Sequence, residues 1–398
     1  MVASYKKLFK LLIDREMKSK ELAVRAGVSQ ATLAKMKKDG ATVSSDVLVK
    51  ICMALDCTLN DIVEIISEEK PKPIYTGTTT FKLGELFCGP GGIACGAMSA
   101  RSADGKLMIE HAWANDYDAD TCETYRKNIC PDAPQTVYCG DVRELDIKSL
   151  GEIDAFCYGF PCNSFSNVGK HQGLENEKFG QLYWYGIEVL KTYKPKGFVA
   201  ENVSGIRSAG SGDFDIILND MREAGYRLNV NLYKAEQYGV PQTRHRVFFI
   251  ATRNDFDLEG LDMSFNYEPI RYGEIKSGNG FPINTNTETY RILQMAKPCD
   301  LRMSDVYVRI GEKERAFACK IAWEENVLQT FIANMEYVRG TDKQWLSVED
   351  IIHGQTFPED YEFDQRTHRS VGYICGMSVP PIMMKRVVTR LIESGVFE

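Results

Sequence analysis

The sequence predicts a doubly wound α/β domain with a mostly parallel sheet, preceded by a small all-α unit. From Phe81 onward, apolar strand-like runs alternate with helical runs, and a glycine-rich turn follows the first of them. Before residue 66 the chain is instead a string of short, capped helices. The apolar runs predict strands at 82–87, 108–115, 136–140, 153–160, 197–201, 228–233 and 247–252.

The composition excludes several classes of protein. The 398 residues are 44% hydrophobic and 26% charged, as in an ordinary globular protein of two or three domains. The amino-terminal segment is an amphipathic charged helix and no run of about 18 apolar residues occurs, so we expect no secretion signal, no membrane span and a cytoplasmic location. The 12 cysteines are scattered without a zinc-type CxxC pair, so we expect free thiols and no bound metal.

The charge is distributed unevenly along the chain. The net charge is −7, but residues 1–50 hold 11 basic and 5 acidic residues, a net of +6. The remaining residues therefore carry −13. This asymmetry fits a small nucleic-acid-binding module attached to an enzyme, although on charge alone a solvated helix face is the simpler interpretation.

The basic amino-terminal segment has the pattern of a helix-turn-helix. Ser19 and Ser29 are predicted to cap two short helices, Gly27 and Gly40 to end them, and Thr58 to cap a last helix, LNDIVEII. Two short helices joined at AGVS are typical of helix-turn-helix proteins. The stretch resembles the Cro/C1-type repressor DNA-binding domain over about 60 residues. The resemblance implies that the helix after the turn enters the major groove and that its exposed residues face DNA: Gln30, Ala31, Thr32 and Lys35, with Lys37 and Lys38 near phosphates. A helical dimerisation or docking module is the alternative.

The rest of the chain divides by its regularity. Two prolines, charges and a Gly/Thr run predict a linker at 67–80. Regular alternation of strands and helices covers 81–253, fades over 254–345, and returns with two helical runs in 346–398. The sequence thus predicts an amino-terminal domain at 1–66, a body at 81–253 completed by 346–398, and a small domain inserted at 254–345.

Residues 157–169, CYGFPCNSFSNVG, are the most informative stretch for chemistry. Cys162 follows a proline at the end of an apolar run, so its thiol should stand at the carboxyl edge of the sheet, where ligands bind in open α/β folds. A nucleophile and a buried structural cysteine are both compatible with this stretch alone.

A nucleoside-bearing cofactor is predicted by three successive strand ends. LGELFCGPGG, beginning at Leu83, is a strand followed by a glycine turn and a helix start, but it lacks the GxGxxG spacing of dinucleotide sites. Asp116 at the next strand end can accept hydrogen bonds from ribose hydroxyls, and Tyr117 can lie on an adenine. Asp141 follows the third strand and can accept from an exocyclic amine. S-adenosyl-L-methionine fits this pattern, which needs no phosphate contacts.

Five motifs in a fixed order identify a family resemblance. ELFCGPGG, GFPCNSFS, ENVSGI, PQTRHR and GMSVPP occur in the order and spacing of the cytosine carbon-5 DNA methyltransferases, from about Phe81 to the carboxyl terminus. The resemblance implies a Rossmann-like, S-adenosylmethionine-dependent methyltransferase fold in which 254–345 is the target-recognition domain. It implies double-stranded DNA as substrate, with the target base flipped out of the helix.

The resemblance also implies a role for individual residues. Cys162 matches the nucleophile that attacks carbon 6 of cytosine, and Glu201 matches the group that hydrogen-bonds or protonates N3. Arg246 matches the residue that contacts the base O2, with Arg244 as its support, and Asn202 matches the residue that fixes the Pro-Cys turn. The residues that surround the cofactor are Phe87, Gly89, Gly91, Asp116, Tyr117, Asp141, Val142, Pro161 and Leu182. Those of the loop that closes on DNA are Ser166, Gly169 and Lys170.

The sequence departs from the family pattern at a few positions. Asn163 stands where many members have Gln, and Met377 replaces an asparagine that helps to hold the cofactor. His353 and Gly354 replace the usual Arg-Leu. These changes put cofactor affinity and local packing in question, whereas the central chemistry is untouched.

The function expected from the resemblance is DNA cytosine-5 methylation in a restriction-modification or phage setting. A cognate restriction endonuclease and autoregulation by the amino-terminal domain are further expectations. Two alternatives remain open at this point: a tRNA cytosine-5 methyltransferase on the same scaffold, and a DNA-binding regulator with an inactive methyltransferase body.

Overall fold

The computed structural model of the chain describes residues 2–15, 17–37, 41–66, 78–161, 182–208, 212–256, 261–313, 319–333, 336–364 and 367–397. The chain divides into two units, Met1–Ile74 and Tyr75–Glu398. Residues 67–77 of the predicted linker lie outside the described residues, and Thr79 already belongs to the first strand of the second unit.

In its described residues, the first unit has four short helices around one apolar core. The helices are α1 (Lys6–Asp14), α2 (Ser19–Ala26), α3 (Gln30–Lys35) and α4 (Ser45–Leu55). Gly27 ends α2 with a φ of 63°, which glycine adopts without strain, and the Ser29 hydroxyl begins α3 by accepting the Thr32 N–H at 3.0 Å. Both ends are as predicted. The shared core contains Leu8, Leu12, Leu22, Leu33, Ile51 and Leu55.

The predicted last helix of this unit is wrong. Thr58 begins only a short 3-10 turn, Leu59–Asp61, and strand β2 (Glu64–Ile66) follows it. β2 pairs antiparallel with β1 (Val2–Ser4), so the first residues of the predicted amino-terminal helix are also extended. The physical reason is that IVEII is rich in β-branched residues, which favour a strand when a partner strand is present.

The second unit contains a seven-stranded sheet, and each of the seven predicted strands is confirmed with small shifts at its ends. The strands are β3 (Thr79–Leu86), β4 (Leu107–Asp116), β5 (Val137–Cys139), β6 (Ala155–Tyr158), β7 (Gly197–Val203), β8 (Tyr226–Lys234) and β10 (His245–Arg253). Their order in the sheet is β5-β4-β3-β6-β7-β10-β8. Only β10 runs against the others, because it is antiparallel to both β7 and β8.

Helices cover both faces of this sheet, which confirms the doubly wound α/β fold. They are α5 (Gly92–Met98), α6 (Ala119–Ile129), α7 (Tyr183–Tyr193), α8 (Asp213–Glu223), α12 (Val348–Gln355), α13 (His368–Met377) and α14 (Pro381–Glu393). Alternate strand residues enter separate cores, as the period of two requires. Phe248 belongs to the core with α5, α6 and α14, and Phe249 to the core with α7 and α8.

The region between β10 and α12 has short elements and a small core of its own. Its elements are α9 (Tyr272–Ile275), β11 (Phe281–Pro282), α10 (Glu288–Gln294), α11 (Met303–Ile310), β12 (Lys320–Ala322), β13 (Leu328–Gln329), β14 (Tyr337–Arg339) and β15 (Gln344–Trp345). A sheet of order β11-β15-β14-β12 packs with α10 and α11 around Leu293, Val306 and Trp323. Leu328, Phe331 and Tyr337 instead join the core of the main sheet. The region therefore contributes to two cores, one of its own and one that it shares with the main sheet.

Strand β3 lies at the point where the strand order reverses. From β3 the chain proceeds through α5 to β4 and β5 on one side, whereas β6 and β7 lie on the other side. In open α/β sheets the crevice at the carboxyl edge of this point is the ligand site. Phe87, Asp116 and Pro161 follow or end strands at this edge, as the sequence predicts.

Some general properties of the described residues bear on function. None of the helices there is long and apolar enough to cross a membrane. Among the same residues, no group of three or more His, Cys, Asp and Glu side chains is placed to hold a metal ion. The cysteines in the described ranges have free thiols.

The division into two units predicts that the second folds without the first. A chain that begins at Thr76 is expected to unfold cooperatively, with a midpoint within about 4 °C of the corresponding transition of the full chain, because its cores use no residue before Phe81. Circular dichroism during heating measures this. Loss of the cooperative transition, not restored by moving the start a few residues, would contradict it.

Candidate active site

The turn that leads to Cys162 is fixed by Asn202. β6 and β7 are parallel neighbours with Tyr158 opposite Ala200, so Asn202 lies beside the residues that follow β6. The buried Asn202 side chain donates to the Phe160 carbonyl at 3.1 Å and accepts the Val203 N–H at 2.8 Å. The amide thus fixes the backbone two residues before Cys162. Cys162 itself, with Asn163, Ser166, Gly169 and Lys170, lies outside the described residues.

Glu201 and Arg246 form an ion pair at the same edge. Because β10 is antiparallel to β7, the beginning of β10 lies beside the end of β7, with Arg246 opposite Val203. The Arg246 Nε lies 2.8 Å from the Glu201 Oε1, and the two side chains are only 14% and 13% exposed. A Cβ added at Gly159 would lie 3.7 Å from Glu201 Oε2, so the carboxylate reaches the turn before Cys162. The structure brings these two predicted residues together.

Arg244 serves the site through the backbone. Its buried guanidinium donates from Nη1 to the carbonyls of Phe331 at 3.1 Å and Gly376 at 3.2 Å. Arg246 instead donates to the carbonyl of His245 at 2.8 Å, besides its ion pair. The predicted support from Arg244 is therefore a connection to residues 331 and 376, and it fixes the start of β10.

Gln242, which the sequence analysis missed, extends this connection. It lies in β9 (Gln242–Thr243), which pairs parallel with β13. The fully buried amide donates to the Gly354 carbonyl at 3.0 Å and to the Gln355 side chain at 2.8 Å. Its oxygen accepts the Phe331 N–H at 2.8 Å. Gln242 and Arg244 together join the segment 328–333 to α12 and α13.

The glycine at position 354 has a packing reason. A Cβ there would lie 2.7 Å from the Phe331 ring, and a Cβ at Gly376 would lie 2.2 Å from the Ile332 carbonyl carbon. Segment 328–333 can pass between α12 and α13 only because both positions lack a side chain. The departure at Gly354 is thus accommodated by Phe331. His353 is half-buried, with Nδ1 3.3 Å from the Ile275 carbonyl oxygen.

The glycine turn after β3 has the backbone geometry of a ligand cradle. Phe87 and Gly89 adopt φ values of 54° and 52°, and a Cβ on Gly89 would meet no atom within 4 Å. Gly91 has a φ of 91° and lies against Ile129 and Tyr361, so it must remain a glycine. The open space beside Gly89 leaves room for a ligand to approach the backbone.

Asp116 connects this turn to the end of β4. Its Oδ2 accepts the Gly89 N–H at 2.8 Å and its Oδ1 accepts the Asp118 N–H at 3.0 Å. Burial raises the pKa of Asp116, and the backbone donors act in the opposite direction. The Tyr117 N–H is a third backbone donor to this carboxylate, so at least one of its four lone pairs is left for a further donor. The neighbouring Tyr117 ring is 78% exposed, so one face is available for stacking.

Asp141 stands after β5 and is held by two other residues. Its carboxylate accepts from the Arg143 side chain and backbone, which lowers the pKa of Asp141 to about 2. Asn115, buried in β4, donates to the carbonyls of Tyr138 at 2.7 Å and Gly140 at 3.1 Å and so positions the turn before Asp141. Sequence reasoning missed Asn115, and its place one residue before Asp116 was the available signal.

The remaining predicted cofactor residues complete the surroundings. Val142 is buried, whereas Leu182 and Pro161 are half-buried at either side of residues 162–181. Tyr373 in α13, which the sequence analysis did not select, also lies near this acidic edge: burial and the carboxylate of Asp118 raise its pKa. Met377 ends α13 and is 38% exposed.

In the first unit, the residues predicted to face DNA lie on α3. Gln30 and Lys35 are exposed, and Lys35 donates from Nζ to the Thr42 carbonyl at 3.0 Å. Thr32 is half-buried, with its hydroxyl 2.8 Å from the Ser29 hydroxyl. The exposed Lys37 stands over the Phe9 ring at 5.7 Å, and Lys38 lies outside the described residues.

Comparison with known proteins decides the family. Residues 81–299 match the model of the C-5 cytosine-specific DNA methylases, more than half of the chain. The chain belongs to the C-5 cytosine-specific DNA methylase family. Residues 7–68 match the Cro/C1-type HTH DNA-binding domain, so both predicted resemblances are confirmed. The body is a DNA methyltransferase, and a DNA-binding helix-turn-helix domain precedes it.

Individual relatives agree with this assignment. The Type II methyltransferase M.BbvI of Brevibacillus brevis is 39% identical over 79% of this chain and 91% of its own length. The Type II methyltransferase M.NgoFVII of Neisseria gonorrhoeae is 35% identical over 46% of this chain and 48% of its own. The solved structure of the Entamoeba histolytica methyltransferase EhMeth has the same fold, with a TM-score of 0.57 at 16% identity, covering 80% of this chain and 98% of that one.

The contacts of Gln242 predict that it is a major source of stability in the methylase unit. Gln242→Ala is expected to lower the free energy of unfolding by about 3 kcal/mol, because it leaves the Phe331 N–H and the Gly354 carbonyl buried without this partner. Urea unfolding measures the change. Gln294→Ala removes an exposed amide at the end of α10 and is the matched control, expected within about 0.5 kcal/mol of wild type. Equal stability of the two variants would contradict the prediction.

Proposed function

We propose that the chain transfers a methyl group from S-adenosyl-L-methionine to carbon 5 of a cytosine in double-stranded DNA, with Cys162 as the covalent nucleophile. The observation that carries the proposal is the Glu201–Arg246 ion pair beside the turn that Asn202 fixes. An acid and a cation therefore lie beside the turn that leads into Cys162.

In the proposed reaction the thiolate of Cys162 forms a bond to carbon 6 of the cytosine. The electron pair of the C5–C6 double bond moves to the C4–C5 bond, and the pair of the C4–N3 double bond moves to N3. A proton from Glu201 then neutralises N3. Carbon 5 then takes the methyl group. A solvent water removes the proton on carbon 5, its bonding pair re-forms the C5–C6 double bond and expels the Cys162 thiolate, and N3 returns its proton to Glu201. Arg246 orients the carboxyl group and donates to the base O2.

The cofactor proposal rests on the chemistry of the three strand ends. When bound, S-adenosylmethionine supplies an electrophilic methyl group on a sulfonium centre. Asp116 offers its remaining lone pair to a hydroxyl donor, and Tyr117 offers an exposed ring face. Asp141 accepts from an amine with the one lone pair of Oδ2 that Arg143 does not use. Tyr373 and Leu182 lie at the borders of the same edge, and the residues present fit this cofactor.

The substrate proposal is a cytosine flipped out of duplex DNA, since Cys162 cannot reach carbon 6 inside the stack. Ser166 and Lys170 would contact the DNA as the loop closes. Residues 254–345 would read the target site as the recognition domain, with 81–253 and 346–398 as the catalytic domain. The Type II methyltransferase relatives favour a restriction-modification setting, in which a cognate endonuclease cuts the same site.

Two alternatives differ in measurable ways. A tRNA methyltransferase would modify tRNA in preference to duplex DNA, and the helix-turn-helix domain favours DNA. A regulator with an inactive body would bind DNA without methyl transfer, and the paired Glu201 and Arg246 speak against it.

The covalent step predicts a trapped complex. Duplex DNA with 5-fluorocytosine at the target is expected to remain attached to the wild-type chain. Fluorine replaces the proton on carbon 5 that must be removed before the Cys162 thiolate can leave. On a denaturing gel, a reaction that contained S-adenosylmethionine shows the adduct as a band of reduced mobility. Cys162→Ser should give neither adduct nor methylation, because a hydroxyl is a far weaker nucleophile. A wild-type chain that methylates without forming an adduct would refute the thiol mechanism.

The role of Glu201 predicts a separation of binding from turnover. Glu201→Gln keeps the size of the side chain but cannot deliver a proton, so kcat should fall by roughly 10²- to 10⁴-fold. Affinity for duplex DNA should stay close to that of wild type. Glu144→Gln, an exposed glutamate beside Val142, is the control that should leave kcat unchanged. Unchanged turnover in Glu201→Gln would remove Glu201 from the mechanism.

For the amino-terminal domain we propose a second function, repression of the chain's own gene. The exposed Gln30 and Lys35 on α3 support it, since amides can read adenine edges and lysines hold phosphates. The full chain is expected to protect a site upstream of its gene from nuclease at low salt. Gln30→Ala with Lys35→Ala should abolish the footprint and leave methylation intact, whereas Lys50→Ala on α4 should retain both. Absence of a wild-type footprint would reassign the domain to dimerisation or docking.

A further inference from the structure

A polar cleft opens beside the strand that leads to Arg246. Its volume is about 540 Å³. The pairing of β9 with β13 forms one wall, where the Thr330 hydroxyl donates to the Thr243 carbonyl at 2.6 Å. The lining residues are Thr243, Leu301, Arg302, Asp305, Lys320, Gln329 and Thr330. The cleft thus joins the region 254–345 to the segment that carries Arg244 and Arg246.

Lys320 is the residue that makes this cleft unusual. Its side chain is largely buried, and its Nζ donates to the Thr330 carbonyl. Burial, together with the charges of Arg302, Arg244 and Arg246, lowers the pKa of Lys320 to about 8. In the described part of the chain, the charges that act on this ammonium group are those of three arginines and not of a carboxylate. A desolvated cation beside other cations is unfavourable unless an anion joins it.

The carboxylate in the cleft does not supply that anion. Asp305 Oδ2 accepts the backbone N–H groups of Leu301 at 2.8 Å and Arg302 at 2.9 Å. These two residues come directly before α11, so the carboxylate caps that helix. The exposed Arg302 lies near the Gln329 side chain, with Nε 3.4 Å from Oε1. Gln329 in turn donates to the Leu301 carbonyl at 3.0 Å. Two cations therefore line the cleft while its carboxylate caps a helix.

The position of the cleft indicates which anion it takes. Lys320 contacts Thr330, Thr330 contacts Thr243, and Arg244 contacts Phe331, so this wall is continuous with the start of β10. Arg246, which pairs with Glu201, lies two residues farther along. An anion bound in the cleft would lie close to the target cytosine that Glu201 contacts. In a polynucleotide substrate, that neighbour is the backbone.

We propose that Lys320 and Arg302 bind a phosphodiester of the DNA strand that carries the target cytosine. The proposal rests on the proposed function and deepens it, since it names the residues that position the flipped nucleotide from the recognition side. Lys320 supplies a point charge to the phosphate, Arg302 supplies a planar donor pair, and Thr330 keeps the ammonium group oriented. Lys320 and Arg302 are positioning residues, because neither touches the reacting atoms.

The test compares salt dependence in the full chain. The probe is a duplex carrying a site that the wild-type chain methylates. Its affinity is measured between 50 and 200 mM salt for the wild type, Lys320→Gln, Arg302→Gln and Lys320→Arg. Each Gln variant should weaken binding about tenfold at the lowest salt and reduce the slope of log K against log salt by about 0.9. Lys320→Arg should restore the slope. The helix-turn-helix domain is identical in all variants, so its own contribution cancels.

Lys106→Gln is the matched control, because it removes a lysine from the loop before β4, at the amino edge of the sheet. It should keep the wild-type slope. If Lys320→Gln unfolds, the exposed Arg302→Gln carries the test. Unchanged slopes in Arg302→Gln and in a folded Lys320→Gln would overturn the inference and leave the proposed function standing. A wild-type chain that methylates tRNA but no duplex would instead refute the proposed function.

Discussion

The hydrogen bonds of Gln242 and Arg244 are the interaction on which the site depends. These two buried side chains hold the segment 328–333 between α12 and α13, where Gly354 and Gly376 leave room for it. They also fix the backbone immediately before Arg246. Because buried polar groups are costly to leave unpaired, the main sheet, the carboxyl-terminal helices and the region 254–345 are held together at this point.

The reversed direction of β10 explains how two kinds of chemistry share one edge. In an all-parallel sheet the edge would receive only residues that follow strands, as it does at Phe87, Asp116 and Pro161. Since β10 runs the other way, its first residues arrive at the same edge, and Arg246 is placed against the end of β7. The acidic residues proposed to bind the cofactor, Asp116 and Asp141, thus lie on the β5-β4-β3 side, and Glu201 and Arg246, proposed to contact the base, lie on the β6-β7-β10 side.

The sequence predicted the parts of this arrangement that are local. The strands have long apolar runs, and the motifs that identify the family lie at their ends, so the fold and the placement of Glu201 and Arg246 at one edge of the sheet could be expected. Tyr373 and the role of Gln242 could not, because each acts on backbone or charges far away in the chain. The pairing of β1 with β2 was missed for the same reason: IVEII becomes a strand only when Val2–Ser4 supplies a partner. Lys320 gave no signal either, since its burial depends on how region 254–345 packs on β9.

Hydrogen exchange at the Phe331 amide shows whether the segment 328–333 is held to the catalytic strands, since this N–H donates to Gln242. If the segment and the catalytic strands form one body, the Phe331 amide should exchange only through the large opening that also exposes interior amides of β10 such as Phe249. Its protection should then match theirs in the free protein, before any DNA is added. Exchange of Phe331 at the rate of surface-loop amides, with Phe249 still protected, would show that the segment opens on its own and would contradict the account.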